Sequence, residues 1–436
     1  MKDTIKSGDF SFDALYENIM LPLFSFISTF DKRKENKHHD LRDALKSGFA
    51  LFTLKSASLF SFQKRSKAEG DNLRSIFKIG KQLSDNGIRT ILDKVDPKKL
   101  GAGFGSLIRY LDERNILESY KVLGKYLVVS VDGVEHFCSK KINCDCCLSR
   151  KHRDGSQSYY HCMLSAAVVN PYQREVFVAG NEPIIKQDGS VKNDCERNAA
   201  KRLFKNIEEL FVCKPVIYVL DALYSCAPIL KLIRTNPNWK YMSGITEKGH
   251  AYLFGQFDSL NGERQVKWKD FRRKRERYTV GFVNGLALNK SNLEEKVNMV
   301  YCRFKAEGKP EKIFTWITNI ELNGSNIKTI VDIGRSRWKI ENEVFNTLKN
   351  QDYNFEHNYG HGKENLSTNF AFLMMLTFTI DQIQQRCNRY FKSLHKGLVT
   401  RLKIWDATRS VFKIICCDSM TDLQDKILEM YQIRLI

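Results

Sequence analysis

Three acidic residues, each in a distinct local setting, carry the first chemical signal. Asp132 closes the apolar, β-branched run YLVVSVDG, and Asp221 closes KPVIYVLD. Glu341 lies within GRSRWKIENEVFNTLKN, residues 334–350. The first two runs read as buried strands, each with a carboxylate at its carboxyl end. In an open α/β sheet, sites are built at that end. If the two strands are neighbours, their carboxylates stand side by side and repel each other unless a cation lies between them. Oxygen-only donors of this kind suit Mg²⁺ or Mn²⁺. A third carboxylate brought in on a helix would complete a two-ion site for in-line displacement at phosphorus. Glu341 is the expected third ligand, with Glu343 as the alternative. Taken singly these features are ordinary: aspartates often follow strands, and Arg337–Glu341 is an i,i+4 surface pair. Their conjunction is what points to chemistry.

The elements that must position these residues follow from the hydrophobic pattern. YYHCMLSAAVVNP and REVFVAG read as strands after the Asp132 run, and DCERNAAKRLFKNIEELF as an amphipathic helix with Asp194 at its N-cap. KPVIYVLD is then a strand running into a helix, and KYMSGITEK another strand. This order predicts an α/β core with a mixed sheet. RQVKWKDFRRKRERYTVGFVNG and NMVYCRFKAEGKPEKIFTWITNI read as β-hairpins, the second turning at Gly308-Lys309-Pro310. The expected organisation is a helical, basic region over 1–120, a core over 121–246 and 325–385, a β-rich insertion over 247–324, and a helical end over 386–436. Within the first region, DNLRSIFKIG and SDNGIRTILDKV form two short helices around Gly80, capped at Ser84 or Asp85, in either a helix-turn-helix or a plain bundle.

Seventy Lys and Arg against fifty Asp and Glu give a net charge of +20. That excess fits a polyanion, either nucleic acid or an anionic membrane surface; paired aspartates have no role in the second. The longest apolar runs, 19–30 and 369–380, are too short to span a bilayer and read as buried helices. MKDTIKSGDFSF lacks the apolar core of a signal peptide, so a cytoplasmic, nucleoid-associated protein without membrane contact is expected. The run KWKDFRRKRERY holds seven basic residues, Arg272, Arg273, Lys274 and Arg275 among them, interleaved with Trp268 and Phe271. It reads as a DNA track, with a solvated charged face as the plain alternative.

At this point VSVDG, VLDALYS and RSRWKIENE together resemble the three acidic motifs of DDE transposases from bacterial insertion sequences. The nearest likeness is to the branch whose third motif runs Y-x2-R-x3-E-x6-K. Arg337, Trp338, Ile340 and Glu341 match it in order and spacing, and KQDGSVKNDCERNAAKR and NFEHNYGHG are similar in context. Two positions depart from it. Gly334 stands where the tyrosine is expected, and Leu348 where the lysine is expected, with Lys349 one residue on. One extra residue between Glu341 and Phe345, absorbed in a helical bulge, would restore the facing. The resemblance covers roughly residues 45–380. It implies an RNase H-like core in which Asp132, Asp221 and Glu341 hold two Mg²⁺ (or Mn²⁺) ions. It further implies double-stranded DNA, both element ends and target, as partner, and a homodimer in the synaptic complex. Arg337 and Lys349 would hold phosphate, and Trp316 or Trp268 would stack on a flipped base. A structure-selective nuclease of the same fold and an inactive DNA-binding descendant are the alternatives.

The cysteines divide in two. Cys213, Cys226, Cys302, Cys416 and Cys417 sit in apolar runs and read as small hydrophobes in a reducing compartment. CSKKINCDCCLSRKH instead gathers Cys138, Cys144, Cys146, Cys147 and His152. Cys144 and Cys147 fit C-x2-C, and with His152 and His161 they make a structural Zn²⁺ set. A metal-free cysteine-rich hairpin is the alternative.

Overall fold

In the computed structural model, which describes residues 7–33, 38–186 and 194–436, the strand through Asp132 does not stop there. β1 spans Leu127–Ser139, because its antiparallel partner β3 (Gln157–Val169) keeps pairing with it as far as Ser139–Tyr159. β5 (Val216–Leu220) lies on the other edge of β1, parallel to it, and pairs only from Leu127–Val216 to Ser130–Val219. Asp132 therefore marks the end of the parallel partner, not the end of its own strand. β6 (Trp239–Gly244) continues parallel to β5, and β4 (Phe177–Ile184) pairs with β3. The order β4-β3-β1-β5-β6, antiparallel on one side of β1 and parallel on the other, is the RNase H-like arrangement expected.

β2 (Leu148–Lys151) adds a short hairpin to β3. β7 (Lys267–Arg273), β8 (Glu276–Asn289), β9 (Asn292–Ala306) and β10 (Lys312–Thr318) form the two expected hairpins. Lys274 at φ 50° and Gly308 at φ 70° supply the left-handed backbone at their turns. These hairpins do not fold as a separate unit. β10 pairs antiparallel with β6 through Trp316–Gly244, Ile317–Ser243 and Thr318–Met242, so one ten-stranded sheet runs from β2 to β7.

The helix Glu196–Phe211 packs on β3 and β4. Its N-cap is Cys195 and not Asp194; the Asp194 carboxylate instead accepts from Asn198 and Arg202, one and two turns in. The apolar run at 369–380 lies within the helix Leu366–Cys387, which is buried on nearly every face. It is enclosed by the helices Leu41–Thr53 and Pro97–Glu113 and by β4. Gly103 permits that closeness, since a Cβ there would lie 2.8 Å from Leu23 Cδ2 and 3.0 Å from Leu376 Cδ2. The amino- and carboxyl-terminal helices thus share one core. Lys55 Nζ reaches Asp381 Oδ2 at 2.7 Å and sits 4.3 Å from the centroids of both Tyr353 and Trp405. Removing one partner of such a buried pair costs about 3–5 kcal/mol.

The short helices expected near Gly80 are Gly70–Ser75 and Asp85–Leu92, the second capped by the Ser84 hydroxyl. Among the described residues no helix is long and apolar enough to cross a membrane. Residues 1–6, 34–37 in the KRKENKHHD run, and 187–193 within KQDGSVKNDCERNAAKR lie outside the described residues.

Candidate functional site

Carried two residues beyond its last pair, the β1–β5 register sets Asp132 opposite Asp221. Each carboxylate is aimed by local backbone. Asp132 Oδ1 accepts the Gly133 N–H at 3.0 Å. Asp221 caps the 3-10 turn Ala222–Tyr224, its Oδ1 accepting the Leu223 N–H at 2.8 Å. The Asp221 carbonyl is held from the next strand by the Ser243 hydroxyl at 2.9 Å.

The segment 334–350 is not one regular helix. An α-helix ends at Arg335, a turn covers Ser336 and Arg337, and Ile340–Phe345 is a π-helix leading into Asn346–Asn350. The turn docks on β1, where the buried Ser130 hydroxyl donates to the Arg337 carbonyl at 3.0 Å. From there Arg337 donates one guanidinium N–H to Asp132 Oδ2 at 2.9 Å and another to Glu341 Oε1 at 3.1 Å. Burial raises the Asp132 carboxyl to about 7 against the pull of Arg337, with Glu341 adding to the rise. Glu343 points elsewhere, 3.9 Å from Arg174. Lys349 pairs with Glu356 at 2.6 Å. The π-helix is a bulge of the kind expected between Glu341 and Phe345.

A fourth carboxylate, one the sequence reading missed, converges here. Glu196 opens its helix against β1, and a Cβ at Gly133 would lie 2.9 Å from its Oε1. The Tyr224 hydroxyl donates to its Oε2 at 3.0 Å. Burial pushes that phenol above its ordinary value, and Glu196, Asp221 and Asp132 push it further. The available signal was an acidic first-turn residue, which usually means only a helix start.

Beside the carboxylates lies a groove of about 470 Å³, lined by Tyr172, Arg273, Phe314, Arg335 and Trp338 among others. Trp338 is 46% exposed. Trp316 is a buried strand residue stacked on Phe314. It also accounts for Gly334: a Cβ there would lie 2.7 Å from the Trp316 ring and 2.6 Å from Met242 Cε. Trp268 is 42% exposed on the edge strand, its indole N–H donating to Asn261 at 3.0 Å. In the basic run Arg272, Lys274 and Arg275 are exposed. Arg273 instead turns into the groove and pairs with the buried Asp332, which also accepts the Tyr172 hydroxyl at 2.7 Å.

The expected zinc set is redrawn. Cys144, Cys147 and His161 come together, but the fourth member is His361. His152 turns away because the β2–β3 hairpin closes through its backbone, and its Nε2 meets the Ser158 hydroxyl at 2.9 Å.

Asp132, Asp221 and Glu341 supply only oxygen donors, the type that suits a divalent cation. The Arg337 guanidinium is the counter-charge between Asp132 and Glu341, and among the described residues only the cysteine–histidine set gathers three or more ligand atoms closely enough to share an ion. The family described as "Transposase DDE domain" matches this chain over residues 148–379, more than half its length. The match includes Asp221, Arg337 and Glu341 and begins after Asp132. No curated protein matches the chain.

Proposed function

The chain belongs to the transposase DDE-domain family, and on that premise we propose that it is the transposase of a bacterial insertion sequence, of the Y-R-E-K branch. It binds the ends of its element, cleaves phosphodiester bonds and joins the 3′ hydroxyls to target DNA. The observation that carries this reading is the Arg337 fork, which joins Asp132, in register with Asp221, to Glu341. Asp132, Asp221 and Glu341 would hold two Mg²⁺ (or Mn²⁺) ions, which when bound activate the attacking oxygen and offset charge on the leaving one. Asp132 must give up its proton before it can ligate, and Arg337 favours that loss. The planar Arg337 fork also suits bidentate contact with phosphate. Trp338 and Tyr172 offer exposed faces for a displaced base beside Arg335, a role better suited to them than to the buried Trp316. Lys349 and Trp268 would contact the flanking duplex, and the helical region over 1–120 would add to end binding. A homodimer would pair the two ends in the nucleoid.

The direct test uses duplexes ending in the inverted repeats that flank the gene, a supercoiled target and Mg²⁺. Nicked ends and joined products are expected. Cleavage without joining would favour a structure-selective nuclease, and binding alone would mean an inactive descendant.

The exposed basic turn gives a second expectation. Replacing Arg272, Lys274 and Arg275 together with glutamine should weaken end binding. It should also reduce the slope of log K against log salt by up to about 3, since each phosphate contact contributes about 0.9. Arg273 is left in place, because its loss would strand the buried Asp332. An unchanged slope would make the turn a merely solvated face.

A further inference from the structure

Four ligand atoms from three separated parts of the chain meet away from the carboxylates. Cys144 and Cys147 lie in the β1–β2 connection, His161 on β3, and His361 in the segment leading to the helix Leu366–Cys387. Their Sγ and Nε2 atoms all lie within 4.8 Å of one another. A tetrahedral zinc with Zn–S of about 2.3 Å and Zn–N of about 2.05 Å requires edges near 3.8 Å for S–S, about 3.6 Å for S–N and about 3.3 Å for N–N. The two sulfurs are 3.8 Å apart. His161 Nε2 lies 3.4 Å from each of them, and His361 Nε2 lies 3.3 Å from Cys147 Sγ and 3.1 Å from His161 Nε2. These five edges lie within a few tenths of an ångström of that polyhedron, and the sixth, from Cys144 Sγ to His361 Nε2, is no longer than 4.8 Å.

The surroundings are those of a closed metal site. Cys147, His161 and His361 are buried. His361 Nδ1 faces the Gly362 carbonyl at 3.0 Å, which fixes the proton on Nδ1 and leaves the Nε2 lone pair for the cluster. The Cys147 N–H donates to the Cys144 carbonyl at 3.1 Å, and the Cys144 N–H lies 3.4 Å from Cys147 Sγ, so the C-x2-C turn is already wound around its sulfurs.

We propose that Cys144, Cys147, His161 and His361 bind one structural Zn²⁺ ion. Four protein ligands leave no open position for substrate, so the ion fastens and does not catalyse. What it fastens is specific. His161 sits on the strand beside β1, and His361 follows the π-helix that carries Glu341. The same segment is held at its far end by Asp93, whose carboxylate accepts the backbone N–H groups of Lys363, Glu364, Asn365 and Leu366. The zinc is the second clamp, tying the chain that leaves the third acidic helix back onto the sheet that holds the first acidic residue.

The test does not depend on transposition. Full-length protein purified without chelator should carry about one zinc per chain by plasma mass spectrometry. Cys147→Ser and His361→Ala should reduce zinc to background, while His152→Ala and Cys146→Ser keep it. Cobalt exchanged into the unsubstituted protein should give the intense visible bands of a tetrahedral site, with thiolate charge transfer. That measurement needs no variant to fold. Background zinc together with an octahedral, thiolate-free cobalt spectrum would overturn the proposal. Zinc retained in both Cys147→Ser and His361→Ala would do so equally.

Discussion

Alanine at Asp132, Asp221 or Glu341 is expected to abolish cleavage, by on the order of 10³-fold or more, while end binding survives, because ligands of a shared ion act as a unit. Glu343→Ala should cut normally, since Glu343 faces Arg174 and not Asp132. If Glu343→Ala were dead and Glu341→Ala active, the assignment of the third ligand would be wrong. Asp132→Asn separates lost chemistry from lost folding. With its folded value near 7, the Asp132 carboxyl is protonated in folded and unfolded chains alike below about pH 4, and charged in both above about 7. Between those limits folding takes up a proton, so Asp132 withdraws stability as the pH climbs through the window. Asparagine does not. In magnesium-free buffer Asp132→Asn should therefore melt higher than the parent at pH 8, match it at pH 4, and be inactive at both. A variant that melts lower at pH 8 would contradict the burial argument.

Arg337→Lys is expected to slow cleavage or joining about 10- to 100-fold with little change in melting temperature, the usual cost of losing a group that orients ligands. The geometry explains why a retained charge is not enough. The fork spans two carboxylates at once, from β1 and the π-helix Ile340–Phe345. A lysine ammonium is a point charge with no such fixed span. Arg337→Ala is less informative, because it also strips the counter-charge from a largely buried Asp132. A surface i,i+4 pair would be worth only a few tenths of a kcal/mol and would leave turnover untouched. Normal rates in Arg337→Lys would make the segment ordinary.

The parts of this architecture that were legible in the sequence rest on local signals. β-branched runs ending in aspartate identify β1 and β5, because a doubly covered strand must be apolar along its whole length. The second hairpin is marked by its turn residues, Gly308-Lys309-Pro310, whereas the first turns at Lys274, which carries no turn signal. What stayed hidden depends on distant chain. His361 lies 200 residues from His161, so no spacing rule joins them, and the nearer His152 drew the assignment instead. The exposure of Trp338 was equally hidden, because a 3.6-residue period assumes an unbroken helix, whereas the turn at Ser336–Arg337 resets the phase. Gly334 looked like a missing tyrosine; the ring of Trp316, from a strand in another part of the chain, fills that space. Glu196 resembled any acidic helix start. The bulge expected between Glu341 and Phe345 came from the resemblance alone, and the segment Ile340–Phe345 is a π-helix.

Because one hydrogen-bonded ladder runs from β2 to β7, the hairpins cannot swing on a hinge relative to the carboxylates without rupturing main-chain bonds. The molecule is mechanically a stiff plate, and its narrowest seam is the three-residue pairing of β6 with β10. Strain introduced at the hairpin edge concentrates at that seam. Ser243 lies in it and carries the hydroxyl that holds the Asp221 carbonyl. Through that hydroxyl the seam is coupled to Asp221, and so to the spacing between the two aspartates.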